Sequence, residues 1–307
     1  MQSADRPLVS VIVPVFNDEA GLYRCLAALS QQTYPAACLE IIVVDNGSDS
    51  LEAVRRLVDD YMGVKLVQEP TPGSYAARNR GISVAQGDIL AFTDADCIPD
   101  LAWVERGVAH FMEPHSYDMV VGKVEIFPQD SHNPNLVELY QMVSLFPQER
   151  YLKIFKGGAT ANVLVRRSVI DDVGPFDQSL KSFGDLEWGG RVFQAGYAQT
   201  YAEDVRVRHP ARPTWDALRR RTMRTAGGMY DHFIRPEDSW LQQTKMLGRL
   251  IVQDLIPPIN FTISNFKNPA LKTIRQRLGV SALLMGVRYV SALEKMRLRL
   301  GGTSRRA

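Results

Sequence analysis

Residues 87–100, GDILAFTDADCIPD, set four apolar residues, Ile89 to Phe92, just before two carboxylates one residue apart, Asp94 and Asp96. The run reads as a buried strand that leaves its sheet and delivers acids at the C-terminal edge. Open α/β sheets place their ligands at that edge. Carboxylates there suit a hard divalent cation, which takes oxygen ligands and shares its shell with substrate phosphates. A solvated loop can also carry Asp-x-Asp, so the surroundings decide. A further acid, Asp185 in FGDLEWGGR (183–191), opens a helix-like stretch. With an ordinary pKa of about 3.9 it is ionised at neutral pH and can accept a hydroxyl proton; the same position would serve as an N-cap. Glu187, two residues on, is the weaker base. His209 in VRVRHPAR offers an imidazole, and a lone histidine serves structure as readily as it binds metal. His110, His115, His132 and His232 have no comparable context.

The elements that must position these groups alternate along the N-terminal part. LVSVIVPVF (8–16), LEIIVVD (39–45), Val64 to Val67 and Asp88 to Thr93 read as strands. Ala20 to Gln32, Leu51 to Tyr61 and Tyr75 to Ala85 read as helices, with apolar residues on one face. Alternation of this kind implies parallel pairing in a doubly wound α/β layer structure. Beyond Asp100 a helix is expected over 102–111, a strand over 119–127, irregular chain over 128–158 and a helix from Asp185 to Ala195.

Composition bounds the class. The chain has 307 residues, room for one large domain or two small ones. Three cysteines, Cys25, Cys38 and Cys97, lack metal spacing and cannot all pair, which points to a reducing, cytoplasmic setting. No signal peptide precedes the first strand, and no run of 18 apolar residues predicts a membrane span. Neither G-x-G-x-x-G nor a Walker-type phosphate loop is present, so a bound nucleotide must be held another way.

In order and approximate spacing, VSVIVPVFND (9–18), IIVVDNGSDS (41–50), AARNRGI (76–82), AFTDADC (91–97) and FGDLEWGGR resemble the motifs of family 2 glycosyltransferases, over about residues 7–235. The resemblance implies the GT-A fold, a Rossmann-like mixed sheet flanked by helices, with a nucleotide-binding part over about 7–100 and an acceptor part over about 101–235. It also implies a nucleotide-diphosphate-sugar donor, UDP first, GDP or dTDP next. Pro14, Val15 and Phe16 would line the nucleobase, and Asp45 would accept the hydrogen bond of its imide. A charge-assisted bond of that kind is the stronger sort, although Asp-Asn-Gly-Ser also favours a plain turn. Arg78 matches a base- or phosphate-contacting arginine and could equally be a solvated helix charge. Asp96 matches the acid that holds Mn²⁺ or Mg²⁺, with Asp94 contacting the ribose or ligating the metal through water, Ala95 between them and His209 as a further ligand. Asp185 matches the base of an inverting displacement, which needs one carboxylate where a hydrolase needs two. Asn162, after Gly157-Gly158, falls in the segment that lines the donor sugar, or in a turn. Gly184 departs from the family's pattern, which has Glu before the base.

The C-terminal part carries the opposite charge to the body. From Trp240 to Ala307 twelve basic residues face two acids, a net of +10, so the first 239 residues carry −8 of the chain's +2. Arg206, Arg208, Arg212, Arg219, Arg220, Arg221 and Arg224 precede this tail. The resemblance places an Arg-rich helix near the site mouth, and of these Arg221 and Arg224 are the residues expected to meet a donor diphosphate or a lipid-linked phosphate. Gln276 to Leu300 is helical, with Val280, Leu283, Val287, Val290 and Leu298 on one side. That side suits an anionic membrane surface, packing on the domain, or a homodimer. The expected protein is a cytoplasmic transferase at the inner membrane face that builds a glycan or lipid-linked acceptor, with residues 236–307 as a helical extension. A nucleic-acid role has no motif behind it. The rivals are a sugar-nucleotide nucleotidyltransferase, whose Gly-rich signature is missing, and a non-catalytic sensor or scaffold, which would not need both Asp96 and Asp185.

Overall fold

The computed structural model describes residues 6–112, 116–236 and 239–305. Its sheet grows from the β-branched runs: β1 (Val9–Val15), β2 (Leu39–Asp45), β3 (Val64–Gln68) and β4 (Ile89–Phe92) pair in parallel. The connections between them contain α1 (Glu19–Leu29), α2 (Leu51–Asp59) and α3 (Ser74–Val84). Because helices cover both faces, these strands are apolar along their length rather than alternating; Val11, Ile12, Val13, Ile42, Val43, Leu90 and Phe92 are fully buried. Past β4 the sheet turns antiparallel. The later strands are β5 (Ile98–Pro99), β6 (Met119–Phe127), β7 (Val163–Arg166) and β8 (Gln199–Pro210), and the order is β3-β2-β1-β4-β7-β6-β8-β5. The mixed sheet expected from the sequence is therefore present.

Register decides which residues share the functional edge. Val15 lies opposite Asp45, and Ile12 lies opposite Phe92. β4 ends at Phe92, just before the turn that carries Asp94 and Asp96.

Two expectations need correcting. Residues 128–158 are not irregular: they hold α5 (Leu136–Ser144) and α6 (Gln148–Phe155). A capping box starts α5, with the Asn135 side chain accepting from the Glu138 N–H and the Glu138 carboxylate accepting from the Asn135 N–H. The basic segment around 206–208 is a strand, β8, rather than part of a helix. Its side chains alternate, with Val205, Val207 and His209 buried and Arg206 and Arg208 more exposed. The remaining helices are α4 (Trp103–Ala109), α7 (Arg167–Val173), α8 (Gly184–Gln194), α9 (Trp215–Phe233), α10 (Trp240–Leu255), α11 (Ile259–Lys267) and α12 (Ile274–Arg299).

The chain divides into two compact units. The first comprises residues up to Glu125, Phe146–Gln178 and Gly184–His209; the second comprises Ile126–Leu145, Ser179–Phe183 and the chain from Pro210 on. In the second unit Leu139, Tyr140, Leu218, Leu271 and Val280 form one apolar cluster, and Tyr230, Ile234, Leu247 and Leu298 form another. Val280, Leu283, Val287 and Leu298 of α12 are thus spent on packing within this unit. Lys295 is buried and paired with Asp254 at 2.5 Å. Among the described residues no helix is long and apolar enough to cross a membrane.

Within the first unit Asn162 braces the antiparallel half. It is fully buried; its Oδ1 accepts from the Trp103 indole N–H at 2.8 Å, and its Nδ2 donates to the carbonyls of Lys123 and Val205 at 2.8 and 2.9 Å. Asn162→Ala strands these buried partners, each worth about 1–3 kcal/mol when left unmade. The expected outcome is a loss of about 3 kcal/mol or more of unfolding free energy in urea denaturation.

Candidate active site

Asp94 and Asp96 stand where β4 runs out. Thr93 is buried with its hydroxyl donating to the Ala161 carbonyl at 3.1 Å, and the Cys97 N–H donates to the Asp94 carbonyl at 3.0 Å, closing a turn that carries both acids. The antiparallel pairing of β5 with β8 sets Ile98 opposite Arg208. One step back along that register, His209 faces Cys97 and so reaches the neighbouring acid: its Nε2 lies 3.3 Å from Asp96 Oδ2. The Phe146 ring packs 5.0 Å from the imidazole. Asp94, Asp96 and His209 offer ligand atoms within 4.8 Å of one another. Two carboxylates and an imidazole form a donor set that fits a divalent ion such as Mn²⁺ or Mg²⁺.

Arg78 is not a solvated helix charge. It is 4% exposed, and its guanidinium pairs with Asp94 Oδ1. Gly81 explains how α3 brings it there: a Cβ at that position would meet the Ile12 side chain at 2.5 Å, so only glycine lets the helix lie this close to β1. Arg78, one turn earlier, shares that face.

Asp185 opens α8, and its Oδ1 accepts from the Leu186 N–H at 3.0 Å and the Tyr75 hydroxyl at 3.3 Å. Burial pushes its carboxyl above the usual carboxylate range, against the pull of the Arg78 charge and the backbone donors of Leu186 and Thr160. Burial, and next the Asp185 charge, push the Tyr75 phenol up as well, so it stays a protonated donor. The Tyr75 ring is held by a stack on Phe176 at 5.9 Å, and Phe176 touches Trp188 of α8 and Phe92 of β4. Glycine before Asp185 fits the packing here: a Cβ at Gly184 would lie 2.7 Å from the Tyr75 ring. The start of α8 is fixed from below. Trp188 Nε1 donates to the Gly174 carbonyl at 2.9 Å, and Arg191 donates to the carbonyls of Val173 and Pro175. Glu187 pairs with Arg191 at 2.8 Å.

The other expected residues divide. At the end of β1, Phe16 is 54% exposed while Val15 is buried and Pro14 half-buried. Asp45 is buried, and its carboxylate accepts from the N–H groups of Gly47 at 3.1 Å and Ser48 at 3.3 Å, which organises its own turn. Ala95 is buried between the two acids. Asn162 is fully buried, and its amide is bonded to Trp103, Lys123 and Val205, which makes it a brace of the sheet. Arg221 and Arg224 lie on α9, in the second unit. His110 pairs with Asp204 at 3.2 Å, His232 packs on Phe183 and Phe233, and His115 lies outside the described residues. Tyr75 was not foreseen, because no local pattern links it to a residue so distant in sequence; the only hint was the bare Gly184.

Comparison with known proteins bears on the family and the fold. The family model described as "Glycosyl transferase family 2" matches residues 10–174. Glycosyltransferase AglE of Haloferax volcanii is 39% identical over 218 residues, which cover 70% of each chain. The fold is similar to that of the Pyrobaculum calidifontis mannosyltransferase PcManGT, solved with GDP-Man and Mn²⁺, at a TM-score of 0.63 and 20% identity over 96% of this chain and 88% of that one. It is also similar to S. aureus TarS solved with UDP-GlcNAc, at 0.54 and 17% over 97% and 93%.

Tyr75→Phe keeps the ring and deletes the donor to Asp185. Since a donor favours the ionised carboxylate, its loss raises the Asp185 pKa further. The acid limb of the pH–activity profile is expected to move to higher pH, with the alkaline side unchanged; an unmoved limb would show that Tyr75 only fills space.

Proposed function

The chain belongs to glycosyl transferase family 2, and on that premise we propose that it moves a sugar, with inversion and with the help of a divalent metal, from a nucleotide-diphosphate-sugar to a hydroxyl of a glycan or lipid-linked acceptor. That it is a glycosyltransferase enzyme follows from the family. The finer reading is carried by one observation: the Asp94, Asp96 and His209 cluster and Asp185 belong to the same compact unit, and Arg78 pairs with the first while its charge acts on the second.

Asp96, His209 and Asp94 would hold Mn²⁺ or Mg²⁺, which when bound supplies Lewis-acid neutralisation of a diphosphate. The remaining chemistry falls to side chains. Asp185, ionised above its raised pKa, takes the proton of the acceptor hydroxyl as that oxygen bonds to the anomeric carbon. The bond from that carbon to the diphosphate oxygen breaks, and the nucleoside diphosphate leaves with the electron pair. Tyr75 keeps the carboxylate aimed. Phe16 offers an exposed ring to the nucleobase at the end of β1. Asp45 has lone pairs left beyond its two turn N–H groups and accepts the base imide. UDP is the first nucleotide to test; the neighbours with GDP-Man and UDP-GlcNAc support a nucleotide-sugar donor without choosing between them. Arg221 and Arg224 are assigned to a phosphate of the donor or of a lipid-linked acceptor. Three free thiols suit a cytoplasmic setting.

Calorimetric titration of UDP, GDP and dTDP, with and without Mn²⁺, tests the site. One nucleotide is expected to bind in a metal-dependent way, and Asp96→Ala to lose that binding. Asp185→Asn is expected to bind the donor as the native chain does while the transfer rate falls by about 10²–10⁴. Retained transfer in this variant would remove Asp185 as the base, and absence of nucleotide binding under every condition would favour the scaffold reading.

A further inference from the structure

The C-terminal helical unit wears an apolar surface of its own, distinct from the α12 face used for packing. Among the described residues, fourteen of the twenty exposed large apolar side chains fall between Trp240 and Leu300. The clearest case is α11, whose pattern is inverted relative to a helix lying on a protein in water. Its outward side carries Ile259, Ile263 and Phe266, which are 64%, 53% and 42% exposed, while Asn265 is 1% exposed and donates to the Ser281 hydroxyl at 3.1 Å. Leu255 and Ile256, just before Pro257-Pro258, are exposed as well. Pro257, Ile259 and Ile263 line a groove with Ala282 and Met285 of α12. Soluble monomers seldom leave a contiguous apolar patch of this kind uncovered without a use for it.

Charge identifies the occupant. From Leu255 to Leu293 the chain has no Asp or Glu, while Lys267, Lys272, Arg275, Arg277 and Arg288 fall in that span. The two acids that flank it are already matched, Asp254 by Lys295 at 2.5 Å and Glu294 by Arg297 at 2.6 Å. The Arg277 guanidinium lies 5.8 Å from the centre of the Phe266 ring, so cation and apolar anchor adjoin. Lys267, Lys272 and Arg275 are exposed. We propose that this surface, Leu255 to Phe266 with the groove beside α12, docks on an anionic lipid bilayer, the apolar side chains entering the acyl boundary and the cations meeting the headgroups. The proposal stands independently of the transferase reading.

The test uses the full chain, sedimented with vesicles of phosphatidylglycerol and phosphatidylcholine or of phosphatidylcholine alone, with analytical ultracentrifugation in the absence of lipid. The chain is expected to sediment with the anionic vesicles and about tenfold less with the neutral ones. Ile259→Ser, Ile263→Ser and Phe266→Ser combined should lower the anionic partition about tenfold or more. Lys272→Glu with Arg275→Glu should weaken it and flatten its salt dependence. Because all five side chains are exposed, circular dichroism, the melting temperature and nucleotide titration should match the native chain. Three results would overturn the proposal: no sedimentation with anionic vesicles, equal binding to both vesicle types, or patch variants that bind as the native chain does. A lipid-free dimer that the triple serine variant converts to a monomer, with no vesicle binding, would assign the patch to a second copy instead.

Discussion

Asp94 and Asp185 belong to one compact unit, and both answer to the charge of a single arginine. Arg78 supplies the opposing charge from a nearly fully buried position, where it pairs with Asp94 and favours the ionised form of Asp185. Removing one member of a buried pair costs about 3–5 kcal/mol, because the other is left uncompensated. Asp94 keeps part of its side chain exposed, which softens that cost and leaves it reachable. Much of the site's geometry serves this arginine: the close approach that Gly81 permits, the start of α3 near the strand ends, and the ring of Tyr75 beneath its guanidinium.

The sheet changes sense at β4, which pairs in parallel with β1 and antiparallel with β7. That change lets chain segments far apart in sequence reach one edge. The short β5 pairs with β8 and so sets His209 beside Asp96, while the aromatic contacts among Phe92, Phe176, Trp188 and Tyr75 tie β4, α8 and α3 together. Catalytic groups need such rigid support, since errors of an ångström are costly in rate.

Much of this was legible from residue order. The parallel strands, their helices, the acidic turn after β4 and the pairing of His209 with it all follow from periodicity together with the family resemblance. Most of what was missed depends on a contact that lies far away in sequence. Asn162 reads as a turn or a sugar ligand until Trp103, Lys123 and Val205 surround it. The start of α5 did have a local signal in Asn135 and Glu138, but the helix is too short for its apolar spacing to stand out. On α12 the periodicity was sound and the partner was not knowable, since a helix pattern does not say what will cover it.

Tyr75 and Gly184 also constrain how a sequence of this kind can change. The ring occupies the space that any side chain at 184 would need, and the stack on Phe176 keeps it from swinging aside. The two positions are therefore coupled: a side chain at 184 collides while the ring of Tyr75 remains in place. A carboxylate placed at 184, before Asp185, would need the ring to be replaced first, so packing orders the two substitutions.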